Sequence, residues 1–260
     1  MDTTKELPTV LSFCSGYGGI ERGLDLAGFE HRVIAYVEIE AYAIALLVKK
    51  MEEGELSPAP IYTDIKTFPS EIFRGKVSLI TGGYPCQGFS TAGQRKGDKD
   101  PRHLWPYIRR HIESIRPIQC LFENVQGHVA LGLFSVISEL ESMCYRAAWG
   151  IFSAREVGAP HERERVFILS NSISERGEAW VSGQERPQKE GYTAITDNRS
   201  GQQCRWQEKM QWPPEPRLGR VVDGCPDRVD RIRLLGNGVV PQTAAKAWIT
   251  LNKRMESLND

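Results

Sequence analysis

The sequence predicts an α/β protein in which a central β-sheet carries helices on both faces. Over the first 170 residues of the 260-residue chain, short apolar runs alternate with longer segments of helical periodicity, a pattern typical of α/β sheets. The hydrophobic fraction of 40% is sufficient for a core of that size. After residue 170 the composition changes, which predicts a small irregular lobe beside the sheet.

Seven short apolar runs are predicted to form the strands. They cover residues 9–13, 33–37, 61–65, 77–81, 118–122, 145–154 and 165–169. Ligands of such sheets bind at the carboxyl ends of the strands, so the residues that follow each run are the first candidates for a site.

The segments around these runs predict helices. They cover residues 20–27, 40–53, 103–115, 131–143, 230–235 and 241–257. Gly28 is the expected end of the first helix, and Arg116-Pro117 ends the third. The last helix carries an apolar stripe that should pack back on the sheet.

The chain is therefore divided into three parts: a main domain over residues 1–170, a region over 171–229, and a C-terminal segment over 230–260 that packs back on the main domain. From 171 to 216 only 11 of 46 residues are hydrophobic, too few for a core of their own. Three of the six tryptophans nevertheless lie there. We expect this segment to lie over the surface of the main domain and to contact a partner. The alternative is that it is a disordered linker.

Composition argues against several classes of protein. No apolar run reaches the roughly 18 residues that a bilayer requires, and the first residues do not resemble a signal peptide. None of the six cysteines forms a C-x-x-C pair, so we expect no zinc site, and reduced cysteines fit a cytoplasm. The net charge is zero, but residues 92–116 carry +4 and residues 199–233 carry +3. These regions could line a phosphate-binding face, although charged runs are usually only solvated surface.

The tetrapeptide Tyr84–Gln87 (YPCQ) follows a predicted strand and two glycines, and it opens a polar, basic loop. The strand fixes Cys86, the loop can close over it, and the nearby Arg95 and Lys96 favour the thiolate that acts as a nucleophile. For this cysteine taken alone, a buried structural role is the alternative.

Three features at successive strand ends predict an adenosine-containing cofactor. The glycine loop 15–19 lets a ligand approach the backbone, and the helix N-terminus behind it favours a negative group. Glu38 can accept both hydroxyls of a ribose, and Asp64 can accept from an adenine amino group. Each of them alone would be an ordinary turn or surface acid. The glycine spacing is not G-x-G-x-x-G, which argues against a dinucleotide site.

Glu123-Asn124-Val125 ends the fifth run, at the same expected edge as Cys86. A carboxyl group beside a thiol indicates a nucleophile with an acid that protonates or hydrogen-bonds the substrate, whereas a capping acid is the alternative. Arg163 and Arg165 alternate along an incipient strand and share one face, where they could hold a planar polar group or a phosphate.

With these motifs in this order, the chain resembles the DNA (cytosine-5)-methyltransferases, and in particular small phage-type or solitary bacterial members. The match runs from residue 10 to about 248 and includes the segment Gly236–Gln242 (GNGVVPQ). Its most specific part is Pro-Cys-Gln followed about 35 residues later by Glu-Asn-Val. The resemblance implies a Rossmann-like S-adenosylmethionine-dependent methyltransferase sheet, with catalysis and cofactor binding in residues 1–170 and target recognition in 171–229.

The resemblance also implies the roles of individual residues. The residues expected to contact S-adenosylmethionine are Cys14, Gly16, Tyr17, Gly19, Glu38, Ile39, Asp64, Ile65, Pro85, Leu104, Asn237 and Val239. The expected catalytic residues are Cys86, Glu123, Arg163 and Arg165. The residues expected to bind DNA are Gln87, Ser90, Arg95, Arg205 and Arg217.

In the implied reaction a cytosine is flipped out of duplex DNA, and the Cys86 thiolate adds to its carbon-6. Glu123 hydrogen-bonds or protonates the ring nitrogen, Arg165 binds the carbonyl oxygen, and Arg163 supports the site. Carbon-5 then takes the methyl group, and loss of its proton and of Cys86 releases the product. The adduct is needed because carbon-5 of cytosine is a poor nucleophile until carbon-6 is attacked.

Some positions depart from the family pattern. Cys14 replaces an aromatic residue that packs on the cofactor, and His161 stands where the family usually has glutamine. The recognition region is short for the family, and it reveals neither the target sequence nor a restriction partner.

We expect a monomeric enzyme that acts on double-stranded DNA in the cytoplasm of a bacterial or phage-infected cell, without a metal or a membrane. Three alternatives stay open. One is methylation of cytosine in transfer RNA, since a relative of the family shares both motifs. Another is a catalytically silent DNA-binding relative, against which the intact Cys86 and Glu123 argue. A nicotinamide oxidoreductase is disfavoured by the glycine spacing.

Overall fold

The computed structural model describes residues 6–85, 103–173 and 238–257. Within these ranges seven strands form one sheet in the order β3-β2-β1-β4-β5-β7-β6. The strands are β1 (Thr9–Phe13), β2 (Arg32–Val37), β3 (Ile61–Tyr62), β4 (Leu79–Gly83), β5 (Gln119–Val125), β6 (Tyr145–Ser153) and β7 (Glu164–Ser172). Strands β1 to β5 are parallel, whereas β7 is antiparallel to both β5 and β6.

The described residues also form six α-helices. They are α1 (Gly19–Leu26), α2 (Ala41–Glu52), α3 (Trp105–Ile115), α4 (His128–Leu131), α5 (Leu133–Ser142) and α6 (Pro241–Ser257). Short 3₁₀ turns lie at Ser70–Phe73 and Arg155–Val157. None of these helices is long and apolar enough to cross a membrane.

Helices cover both faces of the sheet, as predicted. Because successive strand residues point to opposite faces, Leu121 and Phe122 of β5 belong to different hydrophobic cores. The core around Phe122 is closed by α3 and α5, and the core around Leu121 is closed by α1 and α6. The α/β class predicted from the sequence is therefore confirmed.

The C-terminal helix α6 packs closely against α1 through a glycine. A Cβ placed on Gly23 would lie 2.6 Å from the Ala244 Cβ and 2.7 Å from the Pro241 carbonyl oxygen. Such distances are shorter than real contacts, so only a residue without a side chain lets the two helices approach this far. This packing brings the beginning of α6 to the loop that precedes α1.

The pairing of β5 with β7 positions the polar residues at the end of β5. Glu123 lies opposite Phe167, and Val125 lies opposite Arg165. Both strands are longer than the predicted runs of 118–122 and 165–169, because the antiparallel ladder continues through these polar residues. Glu123 is therefore part of the strand, not of a loop after it.

Other elements also differ from the predicted bounds. β3 ends at Tyr62, since the Asp64 carboxylate accepts the Lys66 N–H at 2.8 Å and turns the chain. The helix predicted over 131–143 corresponds to α5, which begins at Leu133, and the short helix α4 that ends at Leu131 was not predicted. The predicted helical stretch at 230–235 lies outside the described residues.

Candidate active site

The candidate site lies where the carboxyl ends of β1, β2, β4 and β5 approach the beginnings of β7 and α6. The strand order reverses at β1, which has β2 on one side and β4 on the other. Open α/β sheets bind ligands at such a reversal. Predicted site residues within the described ranges fall into a cofactor group at β1 to β3 and a catalytic group at β5 and β7.

The loop between β1 and α1 presents bare backbone to this edge. Gly16 and Gly18 have positive φ angles of 56° and 78°, a conformation that favours glycine. A Cβ on Gly16 would meet no atom within 4 Å. The loop therefore leaves open space beside the Gly16 backbone, as a ligand that approaches the main chain requires, whereas a Cβ on Gly18 would lie 2.6 Å from the Leu56 side chain.

Cys14 begins this loop in a strained conformation. Its φ angle is 49°, in the left-handed region that side chains other than glycine rarely adopt. Burial, aided by the Glu38 carboxylate, raises the pKa of its thiol to about 12. The thiol is therefore protonated near neutral pH, and it is no candidate for a second nucleophile.

Glu38 follows β2 and is held by the backbone on both carboxylate oxygens. Oε2 accepts the Gly16 N–H at 2.7 Å, and Oε1 accepts the N–H groups of Ile39 and Glu40, each at 2.9 Å. The residue is buried. These bonds fix the carboxylate and tie the glycine loop to the end of β2.

The other predicted adenine contacts lie close to Glu38 in the fold. Ile39 is 71% exposed and leaves a hydrophobic surface beside Glu38. Asp64 is half-buried in the turn after β3. The side chain of Ile65 is buried in the core, so a ligand contact from this residue would come from its backbone.

The opposite side of the glycine loop packs against the beginning of α6. The Tyr17 hydroxyl donates a hydrogen bond to the Val239 carbonyl. A Cβ on Gly19 would lie 2.4 Å from the same carbonyl oxygen. Because a backbone atom cannot yield easily, glycine at position 19 and the placement of Val239 depend on each other.

Gly83, at the end of β4, lies between the cofactor group and the catalytic group. A Cβ there would be 3.3 Å from Glu123 Oε2, 3.7 Å from Val239 Cγ2 and 4.0 Å from the Cys14 carbonyl oxygen. The three elements therefore converge on Gly83, where an added Cβ would crowd only the Glu123 carboxylate. Of the remaining predicted cofactor contacts, Pro85 is exposed and Leu104 is half-buried.

Glu123 is the central titratable group of the catalytic group. It is only 5% exposed. Its Oε1 lies 2.9 Å from Arg165 Nε in an ion pair, yet no donor among the described residues has good hydrogen-bond geometry to that oxygen. Burial raises the pKa of Glu123 to about 7 and outweighs the opposing effects of Arg165 and Arg163. The carboxyl group can thus exist in both protonation states near neutral pH.

Arg163 and Arg165 share parity along the chain, but they make different contacts. Arg165 reaches Glu123, as described above. Arg163 Nη2 donates to the Gly238 carbonyl oxygen at 2.6 Å. Burial and the neighbouring Arg165 lower the pKa of Arg163, although an arginine remains charged at neutral pH. The two guanidinium groups give this part of the site a positive character.

The backbone that leads to Cys86 is held in place at Tyr84 by residues of the sheet and of α3. Asn124 is buried, and its Nδ2 donates to the Tyr84 carbonyl oxygen at 3.1 Å. The Tyr84 ring packs against Trp105 and Phe122. The chain therefore enters the segment with Cys86 from a rigid position at the end of β4.

Several predicted site residues lie outside the described ranges. They are Cys86, Gln87, Ser90, Arg95, Arg205, Arg217 and Asn237. Their roles stay predictions.

Three participants in the site were not identified by sequence reasoning. Gly83 separates Glu123 from Val239, Asn124 holds the Tyr84 backbone, and Gly238 accepts from Arg163. Asn124 and Gly238 each lie inside a motif of the family. The motifs therefore indicated that both residues belong to the site, but they did not reveal the partners of either residue. For Gly83 the sequence offers only a glycine at a strand end.

Comparison with known proteins links this geometry to one family. Residues 9–212 match the family model of the C-5 cytosine-specific DNA methylases. Type II methyltransferase M.NaeI of Lentzea aerocolonigenes is 31% identical over 166 residues, which are 62% of this chain and 39% of that protein. Type II methyltransferase M.BsuRI of Bacillus subtilis is 32% identical over 188 residues, with 61% and 42% covered.

The fold is also similar to that of a solved methyltransferase. The crystal structure of S. pombe Dnmt2 methyltransferase superimposes with a TM-score of 0.52 and 26% identity, over 72% of this chain and 58% of that one. The chain spans only about two fifths of the length of the two curated relatives. The similarity therefore covers the sheet and its site more than the whole of those proteins.

Proposed function

The chain belongs to the C-5 cytosine-specific DNA methylase family, and we propose that it transfers a methyl group from S-adenosylmethionine to carbon-5 of cytosine in double-stranded DNA. The observation that carries this proposal is the buried Glu123, whose pKa is raised to about 7 beside Arg165. A carboxyl group with that pKa can donate a proton near neutral pH, which the family reaction requires of it.

The residues around the glycine loop fit S-adenosylmethionine. The open backbone at Gly16 and the N-terminus of α1 suit the carboxylate of its methionine part. The preformed Glu38 carboxylate suits the two ribose hydroxyls, and the exposed Ile39 side chain offers an apolar surface for the adenine. When bound, the cofactor supplies an electrophilic methyl group.

The catalytic group fits a flipped cytosine. Protonated Glu123 would donate to ring nitrogen 3, and Arg165 would donate to the carbonyl oxygen at carbon-2. Both interactions withdraw electrons from the ring, so that the Cys86 thiolate can form a bond to carbon-6. After methylation, the carbon-5 proton passes to a water molecule, the bond between sulfur and carbon-6 breaks to release the Cys86 thiolate, and the proton on nitrogen 3 returns to Glu123.

We further propose that the protein acts as a monomer in the cytoplasm of a bacterial or phage-infected cell. The two curated relatives come from bacteria. Among the described residues no helix could span a membrane and no group of side chains could hold a metal ion. DNA remains the proposed partner.

The test is trapping on duplex DNA of mixed sequence that contains 5-fluorocytosine, with labelled S-adenosylmethionine. Fluorine replaces the carbon-5 proton, whose removal would release Cys86. Because fluorine cannot be removed in this way, the covalent adduct persists. We expect a labelled protein–DNA adduct from the wild-type chain and none from Cys86→Ala, while Cys86→Ala still binds the cofactor.

The same assay is run in parallel with transfer RNA, and it then contains its own counter-tests. Methylation of transfer RNA without any DNA adduct would replace DNA by RNA as the substrate. An adduct that forms equally well with Cys86→Ala would remove Cys86 as the nucleophile. Cofactor binding without transfer to either nucleic acid would contradict the proposed activity.

A further inference from the structure

Tyr17 differs from the rest of the glycine loop because it reaches across the site with its side chain. The glycines of the loop contribute backbone and space, whereas the Tyr17 hydroxyl donates to the Val239 carbonyl. These residues are 222 positions apart in the sequence. The contact therefore joins the loop before α1 to the beginning of α6.

The neighbouring peptide of the same segment is held from the other side. Arg163 Nη2 donates to the Gly238 carbonyl oxygen at 2.6 Å. Two adjacent carbonyls are thus fixed by two different parts of the fold: the cofactor loop and the residue just before β7. Gly19 leaves room for the first of these contacts, since a Cβ there would overlap the Val239 oxygen.

The Tyr17 phenol is also electrostatically close to the catalytic group. Burial raises the pKa of Tyr17 to about 12; the charge of Arg163 opposes this effect, and the charge of Glu123 adds to it. Both charged groups therefore lie near the hydroxyl. The phenol stays protonated near neutral pH and can serve continuously as a donor to Val239.

We propose that Tyr17 is a positioning residue for methyl transfer: its hydroxyl holds the Gly238–Val239 backbone, and this backbone in turn holds Arg163 beside Glu123. A loop that binds the cofactor thereby fixes the charge that faces the acid. The proposal deepens the proposed function and rests on it for the role of Glu123. Arg165 also faces Glu123 but does not belong to this chain of contacts.

The test compares Tyr17→Phe with Tyr145→Phe. Each change removes one hydroxyl and keeps the ring. The Tyr145 hydroxyl donates to the Pro117 carbonyl oxygen at 2.6 Å, at the opposite end of the sheet, so it is a matched control. The first readout is the pH midpoint at which Glu123 loses its proton. Infrared difference spectroscopy monitors the carboxyl band, and Glu123→Gln serves to assign that band. The second is kcat and the KM for S-adenosylmethionine.

For Tyr17→Phe we expect the Glu123 midpoint to move to higher pH, because the positive charge that opposes its protonation is no longer held in place. At a pH below both midpoints, where Glu123 is protonated in the wild type and in the variant alike, we expect kcat to fall about tenfold, on the scale of one lost hydrogen bond, with the KM for the cofactor changed by less than about twofold. Tyr145→Phe should change neither quantity.

Several results would overturn the proposal. An unchanged Glu123 midpoint in Tyr17→Phe would show that the hydroxyl does not position Arg163. A rise of the cofactor KM alone would make Tyr17 a cofactor-binding residue, and equal effects in Tyr145→Phe would indicate a general structural role. If the wild-type chain methylates nothing but the midpoint still moves, the proposed function fails and the positioning role of Tyr17 stands.

Discussion

Two buried glutamates at the same edge of the sheet are held in different ways. Glu38 accepts three backbone N–H bonds, from Gly16, Ile39 and Glu40, so both of its oxygens are engaged. Glu123 has an ion pair with Arg165 but no well-directed donor to Oε1 among the described residues. The first arrangement fixes the carboxylate through backbone donors, whereas the second holds it through the Arg165 side chain.

The difference teaches how one residue type can serve two purposes in one site. Backbone donors cannot move or lose a proton, so they fix the Glu38 carboxylate before a ligand arrives. Burial with only partial compensation raises the pKa of Glu123 to about 7, which lets it exchange a proton near neutral pH. Under the proposed function, cofactor binding and proton transfer would lie on opposite sides of Gly83.

Glu123→Gln tests the proton-transfer side of this comparison most directly. Glutamine keeps the shape and can still donate a hydrogen bond, but it has no proton to transfer. We expect kcat to fall by about 100-fold or more, the usual scale for a general acid, with cofactor affinity unchanged. Methyl transfer at saturating cofactor and calorimetric cofactor binding measure the two quantities. Glu164→Gln, an exposed acid beside Arg165, is the control, and near-normal turnover by Glu123→Gln would refute the role.

The pH dependence should sharpen the same point. If protonated Glu123 is the active form, activity should fall as pH rises through about 7, by up to about tenfold per pH unit. Stability should follow the same group: its folded pKa lies above the ordinary value of 4.5, so stability is lost as pH rises from about 4.5 to 7, by at most about 3 kcal/mol. Urea unfolding of wild type and Glu123→Gln across this range measures it. A wild-type profile parallel to that of Glu123→Gln would contradict the raised pKa.

Glu38→Gln tests the binding side. The side-chain amide would place an N–H group against the N–H of either Gly16 or Ile39 and Glu40, so at least one backbone bond is lost. We expect the affinity for S-adenosylmethionine to fall about tenfold, while kcat at saturating cofactor stays within about threefold of wild type. Glu40→Gln changes an exposed acid two residues away and should alter neither. If Glu38→Gln loses as much kcat as Glu123→Gln, the assignment of Glu38 to binding and of Glu123 to proton transfer is wrong.

Local patterns predicted the architecture well because each apolar run must be buried. The helix over Pro241–Ser257 has the predicted bounds, and the helices on both faces follow from the alternation of runs. The end of β3 was placed too late because the Asp64 turn overrides the apolar pattern there. The break at Gly132 likewise places the start of α5 two residues after the predicted start at 131.

The site was less predictable, since its contacts join distant parts of the sequence. Spacing and parity placed Arg163 and Arg165 on one face, but not their separate partners at Gly238 and Glu123. Those partners depend on the antiparallel register of β5 and β7 and on where α6 begins. The raised pKa of Glu123 likewise depends on burial that becomes visible only when the sheet is assembled.

Gly23→Ala tests the packing of the scaffold and changes neither glutamate, so it should have the smallest effect on catalysis. The added methyl group would meet the Ala244 Cβ at 2.6 Å and the Pro241 carbonyl oxygen at 2.7 Å, so α1 and α6 must move apart. We expect a loss of about 1–3 kcal/mol in the free energy of unfolding, measured with urea, and a smaller loss of activity per folded molecule than in Tyr17→Phe, because Tyr17 and Arg163 still hold the Gly238–Val239 backbone. Gly127→Ala is the control, because a Cβ there would meet no atom within 4 Å and its φ of −58° suits alanine. Equal stability of the two variants would mean that the close approach of α1 and α6 contributes nothing to the stability of the fold. The contact of Tyr17 with Val239 would then hold Val239 beside Gly19 without help from this packing.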